Sequence, residues 1–225
     1  MSAGFIFDLD GVVIDSKEVI ATAFRQAYLR RFPGEQPPLA GFFARMGKGL
    51  RQILADMGLP AAMAQDFVAY STAAEHRIAP FEGVPQLLRE LRATGMYVGL
   101  ATGKERTRTM RILRNLELLQ HFSLVVCSDD VPLGKPDPAS IDAHVTHGGL
   151  DRSRTFFVGD APADLQCARN AQVHGVAALW GGITPSDVLL AEFPPLQART
   201  VADARALLMG VAARHRLQPS NPETI

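Results

Sequence analysis

No run in this chain approaches the ~20 apolar residues that a membrane-spanning helix needs. An excess of one charge sign is missing too, since 23 Lys and Arg balance 23 Asp and Glu. Neither nucleic acid nor a membrane is therefore expected as a partner. Cysteine is scarce: Cys127 and Cys167 stand alone. That count excludes a disulfide framework and a Cys-rich zinc site, and two reduced, buried thiols are expected. The stretch ahead of Asp8 is too short for a signal peptide, so the expected location is cytoplasmic. Internal repeats and low-complexity tracts are absent as well. What is left is 225 residues, 47% apolar and 20% charged, an ordinary globular balance. The length suits one core domain with a sizeable insert, or two small domains.

Apolar periodicity predicts a short strand over residues 5–8, followed by a helical stretch to about residue 77. Ser16 is placed to cap its first helix, and Val19, Ile20, Ala23, Phe24, Ala27 and Tyr28 form a stripe at helical spacing. Residues 32–38, rich in Pro and Gly, interrupt it, and further helices are expected over 49–57 and 60–77. From Pro80 onward, helices at 85–93, 105–118, 138–147 and 162–171 alternate with short strands at 97–101, 124–127, 155–158 and 175–179. That alternation implies an α/β fold: a Rossmann-like parallel sheet with helices on both faces, carrying an inserted all-helical segment. The expected division is a core of residues 1–15 and 80–215, a helical cap of 16–79, and a flexible tail of 216–225.

In such sheets ligands gather beyond the carboxyl ends of the strands, so the residues just after each strand are informative. Asp8 and Asp10 follow the first strand, and their two-residue spacing turns both carboxylates toward one small volume. Like charges that close repel, and a divalent cation is the simplest way to keep both ionised. Thr102, Gly103 and Lys104 follow the second strand; Lys135, in Gly-Lys-Pro-Asp-Pro, follows the third; Asp160 and Asp164 follow the fourth. Carboxylates, a hydroxyl and an ammonium at one sheet edge suit a phosphoryl group and Mg2+.

These four motifs in this order, Asp-Leu-Asp-Gly-Val-Val at 8–13, Thr102, Lys135 and Gly-Asp-xxx-Asp at 159–164, resemble the haloacid dehalogenase superfamily. The likeness is to the branch of phosphoglycolate phosphatase and β-phosphoglucomutase, and it spans residues 5–208. The resemblance implies that Asp8 is the nucleophile and becomes an aspartyl-phosphate, while Asp10 is the acid and then the base. It also implies that Thr102 and Lys135 hold the phosphoryl group, and that Mg2+ rests on Asp8, the Asp10 carbonyl, Asp160 and Asp164. The helical insertion would be a mobile cap. The substrate is then a small phosphorylated metabolite, and Asp10 favours a phosphate ester over a haloacid. A phosphomutase uses the same residues and is the alternative; a phospho-acceptor module without turnover is a more distant one.

Several residues admit two readings. Asp164 either supports the metal or only caps its helix, and Asp129 and Asp130 either orient Lys135 or are loop charges. Arg45, Lys48 and Arg51, with Gly103 and Lys104, are candidate substrate contacts, or else a basic helix entrance facing water. Arg106, Arg108, Arg111 and Arg114 are expected to form a solvated face, His144 and His147 to be surface histidines, and Trp180 to pack at the rim.

Overall fold

The computed structural model describes residues 2–217. In chain order its elements are β1 (Ser2–Phe7), β2 (Ile14–Asp15), α1 (Lys17–Arg31), α2 (Leu39–Phe43), α3 (Leu50–Asp56), α4 (Met63–Ala73), β3 (Ala79–Pro80), α5 (Val84–Ala93) and β4 (Tyr97–Ala101). Then come α6 (Arg106–Asn115), β5 (Leu124–Val126), α7 (Ala139–Gly148), β6 (Leu150–Gly159), α8 (Pro162–Asn170), β7 (His174–Ala178), α9 (Ser186–Leu190), β8 (Leu196–Ala198) and α10 (Val201–Leu217).

Six parallel strands form one sheet in the order β5-β4-β1-β6-β7-β8. The alternation of side chains along β1 explains why both faces must be covered. Phe5 and Phe7 turn into the larger apolar cluster, with Leu87, Leu88 and Leu91 of α5 and Leu208 of α10. Ile6, between them, turns the other way, onto Ile141 of α7 and Cys167 and Ala168 of α8. The chain leaves the sheet through β2 and returns through β3, and these two short strands pair antiparallel, Ile14 opposite Pro80. Between them, α1 to α4 bury an apolar cluster of their own around Phe24, Phe42, Ile53 and Phe67. Phe24 and Phe42 stack with ring centroids 4.2 Å apart. Every residue of the stripe expected on α1 is buried.

Some expectations need correction. The helix expected over 60–77 is α4 plus a separate 3₁₀ turn at Glu75–Arg77. The strand expected over 155–158 is ten residues long, because β6 begins at Leu150 and slips register against β1 between Ser2 and Gly4. Beyond β7 lie three elements not anticipated, α9, β8 and α10. Helix α10 buries Ala204, Leu208 and Ala212 at four-residue spacing and reaches Leu217, so it occupies the start of the tail expected from 216; the rest of that tail lies outside the described residues. Among the described residues no helix is long and apolar enough to cross a membrane.

His144 is fully buried, not a surface histidine. Its Nε2 is 3.0 Å from the Leu100 carbonyl and its Nδ1 is 2.9 Å from the Tyr97 hydroxyl. The neutral ring, donating to the carbonyl and accepting from the phenol, satisfies both. Burial holds the imidazole down to about 4. The unfolded chain therefore binds a proton near pH 6.5 that the folded chain refuses until about pH 4, and stability from this group falls as pH drops through that window. The stability advantage of wild type over His144→Gln should shrink by about 2–3 kcal/mol between pH 7 and pH 4 in urea unfolding. A gap independent of pH would contradict the buried neutral ring.

Candidate active site

Because β1 lies between β4 and β6, the residues that follow these three strands meet at one edge of the sheet. The Asp8 amide donates to the Val158 carbonyl at 2.9 Å, and the Thr102 amide to the Val126 carbonyl at 2.9 Å. Each residue thus continues the ladder one step past its strand, which fixes where its side chain starts. Gly11 follows with φ +79°, and a Cβ there would run into the Asp160 carboxylate. Only glycine lets the turn after Asp10 lie this close to the fourth motif.

Four carboxylates converge here, and all are buried: Asp8, Asp10, Asp160 and Asp164. Lys135 reaches them from the loop after β5. Its ammonium lies 2.8 Å from Asp8 Oδ1 and 2.6 Å from Asp164 Oδ1, and donates to the Ala101 carbonyl at 3.2 Å. Burial works against that ammonium, but Asp164 and Asp8 outweigh it and raise its pKa. Burial pushes Asp8 up to about 7 although Lys135 opposes the shift. Asp10 is held apart from this pair. The Ser16 hydroxyl donates to its Oδ1 at 2.6 Å, and Lys104 sits 3.0 Å from its Oδ2. Burial raises Asp10, yet Lys104 and Ser16 overcome that and hold it below the ordinary carboxylate value.

The sequence positions Ser16 as the cap of α1, and it occupies that position, but its hydroxyl makes no cap bond and serves Asp10 instead. Asp164 does two things at once. Its Oδ2 accepts from the Ala161 amide at 3.0 Å, closing the first turn of α8, while Oδ1 faces Lys135. Asp129 and Asp130 do not orient Lys135; they accept from Arg106, and Asp130 also from the Cys127 amide.

The donor set fits a hard cation. Oxygens of Asp8, Asp160 and Asp164 lie within 4.8 Å of one another. Asp160 Oδ2 is buried without a hydrogen-bond partner. Burial, then Asp8 and Asp164, push its carboxyl well above its usual value. Three clustered carboxylates, one of them with an unsatisfied oxygen, are the ligand chemistry of Mg2+.

The basic residues redistribute. Arg45 turns back onto the Gly41 carbonyl at 2.8 Å and lines no part of the pocket beside Asp8. Lys48 lines that pocket, but its charge is taken by Asp56 at 2.7 Å. Arg51 is exposed and lines a second, outer groove that reaches Lys135. Gly103 serves close packing: a Cβ there would collide with the Gly47 and Lys48 carbonyls. Lys104 is buried on Asp10, not a solvated helix start. The face expected to be solvated on α6 is so only in part: Arg114 is exposed, but Arg106 pairs with Asp130, Arg111 with Glu75, and Arg108 is buried in the pocket. Trp180 packs at the rim as expected, its indole N–H donating to the Val12 carbonyl at 3.1 Å. The pocket encloses about 40 Å³ between Asp8, Asp10, Thr102 and Lys104 on one side and Ile20, Phe42 and Phe67 on the other.

A family model described as haloacid dehalogenase-like hydrolase matches residues 5–178, three quarters of the chain and all four motifs. The chain belongs to this family. It is 31% identical over 192 residues to the phosphoglycolate phosphatase of Caulobacter vibrioides, an alignment covering 80% of each protein. It is 26% identical over 220 residues to pyrophosphatase PpaX of Halalkalibacterium halodurans, covering 93% of this chain and 97% of the other. Among solved structures, a hydrolase from Pseudomonas syringae superposes with a TM-score of 0.82 at 24% identity, over 93% of this chain and 99% of that one. The family member is thus a hydrolase whose motif residues meet at one point.

Removing Lys135 leaves Asp8 and Asp164 facing each other without a cation. Lys135→Met should lose about 3–5 kcal/mol in urea unfolding with EDTA at pH 8.5. Added Mg2+ should recover part of that loss. A loss below about 1 kcal/mol would mean that the ion pairs contribute little.

Proposed function

We propose that this protein is a Mg2+-dependent phosphatase that hydrolyses a phosphate monoester of a small metabolite through an aspartyl-phosphate. The observation that carries the proposal is the pairing of Asp8 with Lys135 at 2.8 Å, beside an unsatisfied Asp160 and a separately held Asp10. Asp8 offers a carboxylate oxygen to phosphorus, and the ester P–O bond breaks as the new one forms. Asp10 gives its proton to the departing alkoxide, then removes one from the water that attacks the aspartyl-phosphate. That second displacement breaks the bond to Asp8 and releases phosphate. Thr102 and Lys135 hold the phosphoryl oxygens, and positioning with charge neutralisation supplies most of the rate.

Asp8, the Asp10 carbonyl, Asp160 and Asp164 would hold Mg2+, which when bound neutralises the phosphoryl oxygens and keeps Asp8 ionised. The depressed pKa of Asp10 suits its second role more than its first. An arriving phosphoryl dianion resolves this, because it adds negative charge beside Asp10 and competes for Lys104, both of which favour the proton. Residues 16–79 act in this reading as a cap whose closure keeps bulk water away until the ester is cleaved. The relatives named phosphoglycolate phosphatase and pyrophosphatase support a small anionic substrate. Two buried, unpaired cysteines support a reducing, cytoplasmic setting.

Phosphate release from a panel of phosphorylated metabolites is the test, with Mg2+ present. Wild type should turn over at least one ester, EDTA should stop it, and Asp8→Asn should lose about a thousandfold or more. Asp10→Asn should slow alkyl phosphates by about 10²–10⁴-fold but p-nitrophenyl phosphate far less, since nitrophenolate leaves without a proton. Unchanged turnover in Asp8→Asn would overturn the mechanism. Isomerisation of a sugar phosphate with no net release would mark a mutase instead.

A further inference from the structure

The pocket beside Asp8 has two unlike walls. Its core side is polar, with Asp8, Asp10, Thr102, Lys104 and Arg108. Its insertion side is hydrocarbon, and all four helices of the insertion contribute: Ile20 from α1, Phe42 from α2, Leu50 and Ile53 from α3, and Phe67 from α4. Met46 joins them from the turn before α3. Phe42 stacks on Phe24 and lies 5.8 Å from the Phe67 ring centroid, so this wall is the inner face of the insertion's own core. Met46 and Leu50 are only half-buried and line the pocket in front of it.

In-line attack by Asp8 puts the departing oxygen on the side away from Asp8, so the leaving group meets the hydrocarbon wall. Among the described residues of the insertion, Lys48 alone brings a positive charge to the pocket, and Asp56 takes it at 2.7 Å. On the core side Lys104 is paired with Asp10 at 3.0 Å, and Arg108 is turned onto the Ser71 hydroxyl at 2.9 Å, 5.7 Å from the Phe67 ring centroid. The buried carboxylates of this edge, Asp8, Asp10, Asp160 and Asp164, outnumber its buried cations, Lys104, Arg108 and Lys135. A divalent cation and a phosphoryl dianion cancel each other. A second anion on the substrate would therefore add to an excess of negative charge and lose its water against hydrocarbon. A hydrocarbon group meets neither cost and gains from burial. We propose that the insertion selects an uncharged leaving group, so that the substrate is the phosphate monoester of a short alcohol presenting hydrocarbon, and no second anion, to this wall. This deepens the phosphatase reading and rests on it. The pocket volume of about 40 Å³ limits that group to a few carbons. Met46 and Leu50 are the specificity-determining contacts, and phosphoglycolate and pyrophosphate, each with a second anion, are poor substrates in this reading.

The test compares shape-matched esters with Mg2+ present: 2-methylpropyl phosphate, 2-phosphoglycolate and 2-phosphooxyacetamide. They differ only in ending in hydrocarbon, a carboxylate or an uncharged amide of similar size. Wild type should favour the alkyl ester over the acid by about tenfold or more in kcat/KM, chiefly through KM, with the amide between them. From methyl to ethyl to propyl phosphate, each added carbon should gain about threefold. Leu50→Lys supplies the missing cation and should move the acid-to-alkyl ratio about tenfold toward the acid beyond Leu50→Gln, which is polar but uncharged. Met46→Lys reads the same shift should Leu50→Lys not fold. A wild-type preference for the acid, a ratio near one, or equal ratios in the Lys and Gln variants would overturn the assignment. The same esters are ranked by calorimetric affinity in Asp8→Asn. If no ester is turned over but the alkyl ester still binds tighter than the acid, the phosphatase reading falls and the selective wall stands. Turnover of the acid ahead of the alkyl ester would keep the phosphatase reading and remove this inference. Binding of none of the three would remove both.

Discussion

Four carboxylates buried at one sheet edge are the constraint around which this molecule is organised. Unpaired, they would repel one another and take up protons, and the raised pKa values of Asp8 and Asp160 show how far burial pushes in that direction. The fold answers with position, not with distance. Lys135 is placed between Asp8 and Asp164, Lys104 against Asp10, and Asp160 is left with an oxygen that no protein donor meets. The result is a partition of four similar groups into three conditions: Asp8 and Asp164 paired with Lys135, Asp10 held separately by Lys104 and Ser16, and Asp160 with an unsatisfied oxygen suited to a cation. Chemically identical side chains acquire different tasks only because their neighbours differ.

The partition depends on topology. Placing β1 between β4 and β6 brings residues 8, 102 and 160 together although they are distant in sequence, and parallel strands make all three carboxyl ends point the same way. The turn at Gly11 then lets the backbone pass against Asp160, and the first turn of α8 aims Asp164 back at Lys135 while closing its own helix. Asp164 thus needs no choice between capping and charge pairing, because its two oxygens do one each.

Most of the sheet and the four motifs were legible in the sequence because their signals are local: apolar runs of strand length, helical stripes, and polar residues just past strand ends. Most of what escaped has no local signal. The two-residue strands β2 and β3 carry no periodicity, and β8 has one turned-in residue, Ala198. Ser16 reads as an N-cap from its position, and only the folded turn reveals Asp10 as its partner. His144 is polar in a string of residues but lies where α7 crosses β4, so its burial is a tertiary fact. Arg108 and Arg111 of α6 read as a charged surface because their partners, Ser71 and Glu75, sit some thirty-six residues earlier in the chain. The helical stripe of α10 was present in the sequence, at Ala204, Leu208 and Ala212, and is the one signal that small residues masked.

Helix α6 joins the reacting edge to the insertion. Its start follows the Thr102 loop; Arg106 secures it to the loop after β5 through Asp130. Arg108 and Arg111 reach across to Ser71, Thr72 and Glu75 at the end of α4 and just beyond it. Backbone contacts reinforce this junction, since Gly103 lies so close to the Gly47 and Lys48 carbonyls that no Cβ fits. Any displacement of the insertion must therefore break the grip of α6 or move the loop that carries Thr102. Helix α6 in this way ties the placement of the insertion over Asp8 to the loop that carries Thr102, and the arginine with an unmet donor lies at that junction.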